Sequence, residues 1–126
     1  MKLKIITKKT KPDIFTISLV GTVDTETSSS LDAEIGRIIQ LKIKTLVFDM
    51  EKVDFITSAG IGTIVKAKSS MSRIGGNIAM INLNPQVKKV FEIIRLLPAL
   101  NVFTDMRELD EYLVKIQRGL TENQTL

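Results

Sequence analysis

Residues 55–62, Phe-Ile-Thr-Ser-Ala-Gly-Ile-Gly, run from two apolar side chains into two small hydroxylated ones and then into two glycines separated by one residue. Downstream, Ile61, Ile64, Val65 and Met71 fall on one helical face while Lys66, Lys68, Ser69 and Ser70 fall off it, and Gly75-Gly76 supplies a stop. The spacing therefore predicts a helix that opens within the quoted stretch. Phe55 and Ile56 are the last apolar residues before it, which places Ser58 at or beside a helix N-terminus.

Working outward from this junction gives the class. Thr45–Asp49 is a short apolar run, as expected of a strand covered on both faces, followed by a turn around Glu51 and Lys52. Upstream, Leu3–Thr7 and Ile14–Val20 are β-rich and separated by Lys11-Pro12-Asp13, so they read as an antiparallel pair. Gly21 and Asp24 close the second strand. Leu31, Ile35, Ile38 and Ile39 share one helical face, with Ser29 and Asp32 spaced as a capping box.

Beyond Gly76, Asn77–Ile81 reads as a fourth strand. Asn84-Pro85 then places a cap and a first-turn proline before a helix whose buried stripe is Val87, Val90, Phe91 and Ile94. Leu96–Phe103 holds a proline turn and a short fifth strand. Asp105 and Glu108 cap a last helix that buries Leu109, Tyr112, Leu113 and Ile116. Strands alternating with helices imply an α/β fold, with about five strands in a mixed sheet and about four helices packed on it. One domain is expected over residues 1–117, with 118–126 as a flexible tail.

Composition narrows the chemistry. The 126 residues contain no cysteine and no histidine, so thiolate nucleophiles, serine–histidine triads and histidine–carboxylate metal sites cannot be built from this chain. No enzyme, no cofactor and no metal site is expected. The net charge of +4 invites a nucleic-acid partner, but the lysines are scattered over several elements and aromatics are only 5%. They read as solvated surface, with no nucleic acid as partner. No apolar run approaches a membrane span of ~18 residues, and Met1–Lys11 spreads five lysines through its few apolar residues, unlike a signal peptide. A cytoplasmic location without membrane insertion is the expectation.

A serine at a helix N-terminus can cap it, a contribution of ~1 kcal/mol relative to alanine. That accounts for one hydroxyl. Glycine inside a helix costs about 1 kcal/mol relative to alanine, so Gly60 and Gly62 need a further reason. Either the helix packs tightly on the sheet there, or the surface around the hydroxyl is kept low for a partner and for a phosphate at the positive helix end. Both readings stand at this point.

The stretch Val53–Gly62, with Gly21, Thr22, Val23 and Asp24 upstream, resembles the STAS domain of bacterial anti-sigma factor antagonists, and the resemblance extends over about Lys2–Ile116. Those domains carry a Gly-x-Leu-Asp-like segment after the second strand and an Asp-Ser-Ser-Gly-Leu-Gly-like segment opening the second helix. The resemblance implies partner switching: the unphosphorylated protein binds an anti-sigma factor that is also a serine kinase, releasing the sigma factor. Phosphorylation of the motif serine ends the binding, and a serine phosphatase restores it. Ser58 matches that serine, Gly60 and Gly62 the glycines and Ile61 the leucine, while Ala59 stands for the second serine and Thr57 for the aspartate. The implied partner-binding residues are Thr22, Asp24, Thr25, Thr57, Ser58, Ala59, Gly60, Ile61 and Gly62. With Thr57 in the aspartate position, a second role stays open, as an accessory or scaffold subunit of a larger signalling or transport complex without a phosphorylation cycle.

Simpler readings compete at other positions. Asp24, Thr22 and Thr25 follow a strand, where turn and cap roles are common. Asp49 and Asp54 flank one turn but lack the further ligands that a cation needs. Gly60-Ile61-Gly62 lacks both the phosphate-loop pattern and the dinucleotide fingerprint.

Overall fold

The computed structural model describes the backbone of residues 2–93 and 100–125, with side chains up to Lys115. A five-stranded sheet in the order β1-β2-β3-β4-β5 forms its centre. The strands are β1 (Leu3–Lys11), β2 (Ile14–Val23), β3 (Thr45–Ile56), β4 (Asn77–Ile81) and β5 (Val102–Phe103). Only β1 and β2 pair antiparallel; the other neighbours are parallel, so the sheet is mixed as expected. The helices among the described residues are α1 (Ser28–Ile39), α2 (Ser58–Arg73), α3 (Pro85–Ile93) and α4 (Met106–Thr125).

The helices divide between the two faces. Leu31, Ile35 and Ile38 of α1, Ile64, Ala67 and Met71 of α2, and Val87 and Phe91 of α3 share one core with Ile17, Leu19, Phe48 and Met80 of the sheet. Leu109 of α4 instead joins Ile14, Val47, Ala79 and Ile81 in a second cluster on the opposite face, flanked by Phe103, Met106 and Leu113. Parallel strands covered on both faces must be largely apolar on both, and the buried runs Ile14–Ile17 and Thr45–Phe48 satisfy this except at Thr16 and Thr45, whose hydroxyls bond to Thr10 and Asn77.

Several expected boundaries shift. Strand β1 continues past Thr7 to Lys11, with Lys8, Lys9 and Lys11 exposed. Strand β2 runs through Gly21 to Val23, and the turn expected at Glu51 and Lys52 lies inside β3. The reason is a pair of register shifts, between Ser18 and Val20 and between Gly21 and Thr22. Gly21 takes φ +116, a conformation open to glycine alone at little cost, and a Cβ there would lie 2.1 Å from the Lys2 carbonyl oxygen.

Helix α1 begins at Ser28 after Thr27, and the Ser29–Asp32 box does not form, since Asp32 pairs with Lys66 of α2 at 3.1 Å. On α2 the buried positions are Gly60, Ile64, Ala67 and Met71; Ile61 is half-buried and Val65 exposed, which turns the helix away from the expected stripe. The caps at Asn84 and Asp105 hold: the Val87 amide donates to Asn84 Oδ1 at 2.9 Å and the Glu108 amide to Asp105 Oδ1 at 2.9 Å. Leu109 is buried, while Tyr112 is partly exposed with its ring 5.0 Å from that of Phe103. Helix α4 extends to Thr125, so the expected boundary at 117 falls within a helix. Ile94 and the proline turn lie outside the described residues, as does the side chain of Ile116.

No helix among the described residues is long and apolar enough to cross a membrane. Nor do three or more acidic side chains gather there in a way that could hold a metal ion.

Candidate functional site

Two strand ends build the site. Because β2 and β3 run parallel with Thr22 opposite Phe55 and Val23 opposite Ile56, the segments after them, Asp24–Thr27 and Thr57–Gly62, leave the sheet side by side. The two motifs separated in sequence thus meet in space. The Thr57 amide joins them, donating to the Val23 carbonyl oxygen at 2.9 Å.

Thr57, not Ser58, is the N-cap of α2. Its backbone is extended and its hydroxyl accepts from the Gly60 amide at 3.5 Å while reaching the Val23 carbonyl oxygen at 3.4 Å. A threonine here does locally what an aspartate would do, without the charge. Ser58 is consequently released from capping. It occupies the first helical position, is exposed, and its hydroxyl makes no hydrogen bond with a described residue. The first turn of α2 contains no acidic residue, so the positive helix end is left uncompensated beside that hydroxyl.

The two glycines do different things. A Cβ on Gly60 would meet Val23 Cγ1 at 2.6 Å, the Val23 carbonyl oxygen at 2.7 Å and Ile56 Cγ1 at 2.9 Å, so Gly60 is required for α2 to seat on the strand ends. A Cβ on Gly62 would meet nothing within 4 Å. Packing therefore explains Gly60 and leaves Gly62 unexplained. Ala59 and Ile61 are half-buried, and the Ala59 carbonyl accepts from the Thr63 hydroxyl at 3.2 Å.

Asp24 organises the neighbouring loop. Its Oδ1 accepts from the amides of Glu26 (2.9 Å) and Thr27 (3.0 Å), and the Thr27 hydroxyl donates to the Thr22 carbonyl at 2.8 Å. The turn role is thus realised in full. The Thr27 amide, helped by Lys2, holds the Asp24 carboxyl below the usual carboxylate range, although partial desolvation opposes it. Thr22 is half-buried and Thr25 exposed.

Sequence reasoning missed Lys2. Its carbonyl accepts from the Thr22 amide at 2.8 Å, and its ammonium reaches Glu26 at 2.9 Å and Asp24 at 3.2 Å. Those hydrogen bonds, to Glu26 first, raise its pKa. The residue just before β1 thereby straps the loop to the sheet. Phe55 was also missed as a surface residue: it is 51% exposed and borders a shallow apolar groove with Ile56, Val87 and Val90. Asp49 is occupied structurally, accepting from the Glu51 amide and Asn82 Nδ2, each at 3.1 Å.

Comparison with known proteins agrees with this architecture. The family model described as STAS domain matches residues 6–109. BtrV of Bordetella bronchiseptica, named as a candidate anti-sigma factor antagonist, is 28% identical over 75 residues; the match spans 60% of this chain and 65% of BtrV, less than two thirds of that relative. The anti-sigma F factor antagonist of Lysinibacillus sphaericus is 24% identical over 110 residues, 86% of this chain and 91% of that protein. Among solved structures, the anti-sigma factor antagonist SpoIIAA in its unphosphorylated form shares the fold with a TM-score of 0.74, 22% identity, and coverage of 86% of this chain and 96% of that chain. The phosphorylated form of the Bacillus protein gives 0.69 at 22% identity, covering 86% and 99%.

Proposed function

The chain belongs to the STAS domain family, and from that premise we propose that it is an anti-sigma factor antagonist whose Ser58 is the switch. Unphosphorylated, it binds an anti-sigma factor serine kinase and so releases the sigma factor. The kinase then phosphorylates Ser58 and the complex separates; a serine phosphatase resets it. The names of two relatives support the reading, since both describe antagonists of this kind.

The observation that carries it is the state of Ser58. The residue is exposed at the first position of α2, relieved of capping by Thr57, and flanked by the open Gly62. A phosphate there adds about −1.5 to −2 charge to a close contact surface while sitting favourably at the helix N-terminus. Binding is then lost without unfolding. The docking face comprises Thr22, Asp24, Thr25, Thr57, Ser58, Ala59, Ile61 and Gly62, with the Phe55 groove beside them; Gly60, expected there from the sequence, is buried against Val23 and Ile56 and supports the face from beneath.

Incubation with the cognate kinase and ATP, followed by mass mapping, should place the modification on Ser58 and leave Thr57 unmodified. Ser58→Ala should bind the kinase persistently, and Ser58→Asp should lose roughly 100-fold in affinity, a few kcal/mol, with an unchanged unfolding midpoint. Equal affinities for wild type and both variants would sink the reading. The neutral Thr57 favours a second role, as a scaffold subunit bound through the same face without a phosphorylation cycle; a complex that resists the kinase yet dissociates with Gly62→Leu would select it.

A further inference from the structure

The sheet has two edges among the described residues. One is β5, two residues long; the other is β1, nine residues long. The Thr22 amide donates to the Lys2 carbonyl, and Lys4, Ile6 and Lys8 lie opposite Val20, Ser18 and Thr16. In an antiparallel pair the bonded residues alternate, so Lys2, Lys4, Ile6 and Lys8 turn their backbone groups toward β2, while Leu3, Ile5 and Thr7 turn theirs outward. These outward groups form a row ready to pair with another strand.

Side chains alternate the other way. Leu3 and Ile5 pack against the helix-covered core, whereas Lys4, Ile6 and Lys8 project from the opposite face, where Ile6 is 44% exposed. Strand β1 contains four lysines and no acidic residue. Lys11 pairs with Asp110 at 3.5 Å, while Lys4, Lys8 and Lys9 form no ion pair with a described residue. Along the sheet on that face, Asp49 and Glu51 belong to β3, two strands away, and Asp24 and Glu26 at the strand's start are already paired with Lys2.

We propose that the free edge of β1 docks an extended acidic segment of another protein, which adds to the sheet as a further strand. The charge decides the occupant. A second copy pairing through β1 would set lysine rows against each other, which is unfavourable for directly opposed residues. An incoming strand with acidic residues beside Lys4 and Lys8 and an apolar residue beside Ile6 satisfies both the backbone and the charge. This surface does not depend on the Ser58 reading.

The test uses the whole chain and two capped seven-residue peptides: one alternating threonine with glutamate, valine and glutamate, the other with lysine replacing glutamate. The glutamate peptide should slow amide exchange at Leu3, Ile5 and Thr7, and the lysine peptide should not. Lys4→Glu/Lys8→Glu should weaken the first peptide by about tenfold or more and admit the second. Thr7→Pro should keep its unfolding midpoint, because the lost N–H points outward, yet abolish protection. Protection by both peptides alike, by neither, or undiminished in Thr7→Pro overturns the proposal; should Thr7→Pro fail to fold, the charge exchange still decides.

Discussion

The two sides of the first turn of α2 are two residues apart in sequence and opposite in character. On one, Gly60 is buried with strand backbone and side chains inside 3 Å of where a Cβ would stand; on the other, Ser58 is exposed and a Cβ on Gly62 would meet nothing within 4 Å. The same residue type is thus used for opposite reasons. Gly60 lets the helix approach the sheet, and Gly62, which the fold does not require, leaves room for something outside it.

That contrast breaks first at Gly60. Gly60→Ala should lose about 3 kcal/mol, because the Val23 carbonyl cannot rotate away and the helix must lift; a fall of roughly 10 °C in the calorimetric midpoint checks it. An unchanged midpoint would show that the seating is loose. Next comes the cap: Thr57→Ala should cost ~1 kcal/mol in denaturant unfolding, while Ser58→Ala stays within about 0.5 kcal/mol. Equal losses would mean that the hydroxyls share the capping.

Gly62→Ala should go the other way, stabilising the domain by up to ~1 kcal/mol through helix propensity while weakening the kinase complex. A stabilised variant with full affinity would remove Gly62 from the docking face. The smallest effect concerns pH. Because the folded Asp24 carboxyl titrates below its unfolded value, its stabilisation is present above about pH 3.9 and is lost as pH falls through the depressed pKa. The midpoint gap between wild type and Asp24→Asn should therefore be constant near neutrality and close in acid; a constant gap throughout would detach Asp24 from the loop.

Much of this was legible before any coordinates. Alternating strands and helices and the caps at Asn84 and Asp105 follow from local chemistry and chain order, whereas the Gly21–Asp24 and Thr57–Gly62 segments were linked only by the family resemblance, and their meeting in space is set by the β2–β3 register. The strand β3 was not, because the register shifts replace the two-residue alternation with buried positions at Met50, Val53 and Ile56, so Glu51 and Lys52 look like a turn. On α2 the buried stripe passes through Gly60 and Ala67, residues too small to register as apolar, while Val65 advertises a face that water covers. Choosing Thr57 over Ser58 as cap needed the helix start to within one residue. Lys2 acts across 22 positions of sequence, a tie that only the antiparallel register creates.

The ring pair of Tyr112 and Phe103 has a practical consequence. The chain has one tyrosine and no tryptophan, so its near-ultraviolet emission comes from a single ring where α4 meets β5, on the face opposite α2. That light will report how the last helix rests on the sheet and stay dark to events at Ser58. A tryptophan introduced at Phe55 would give the other face a signal of its own.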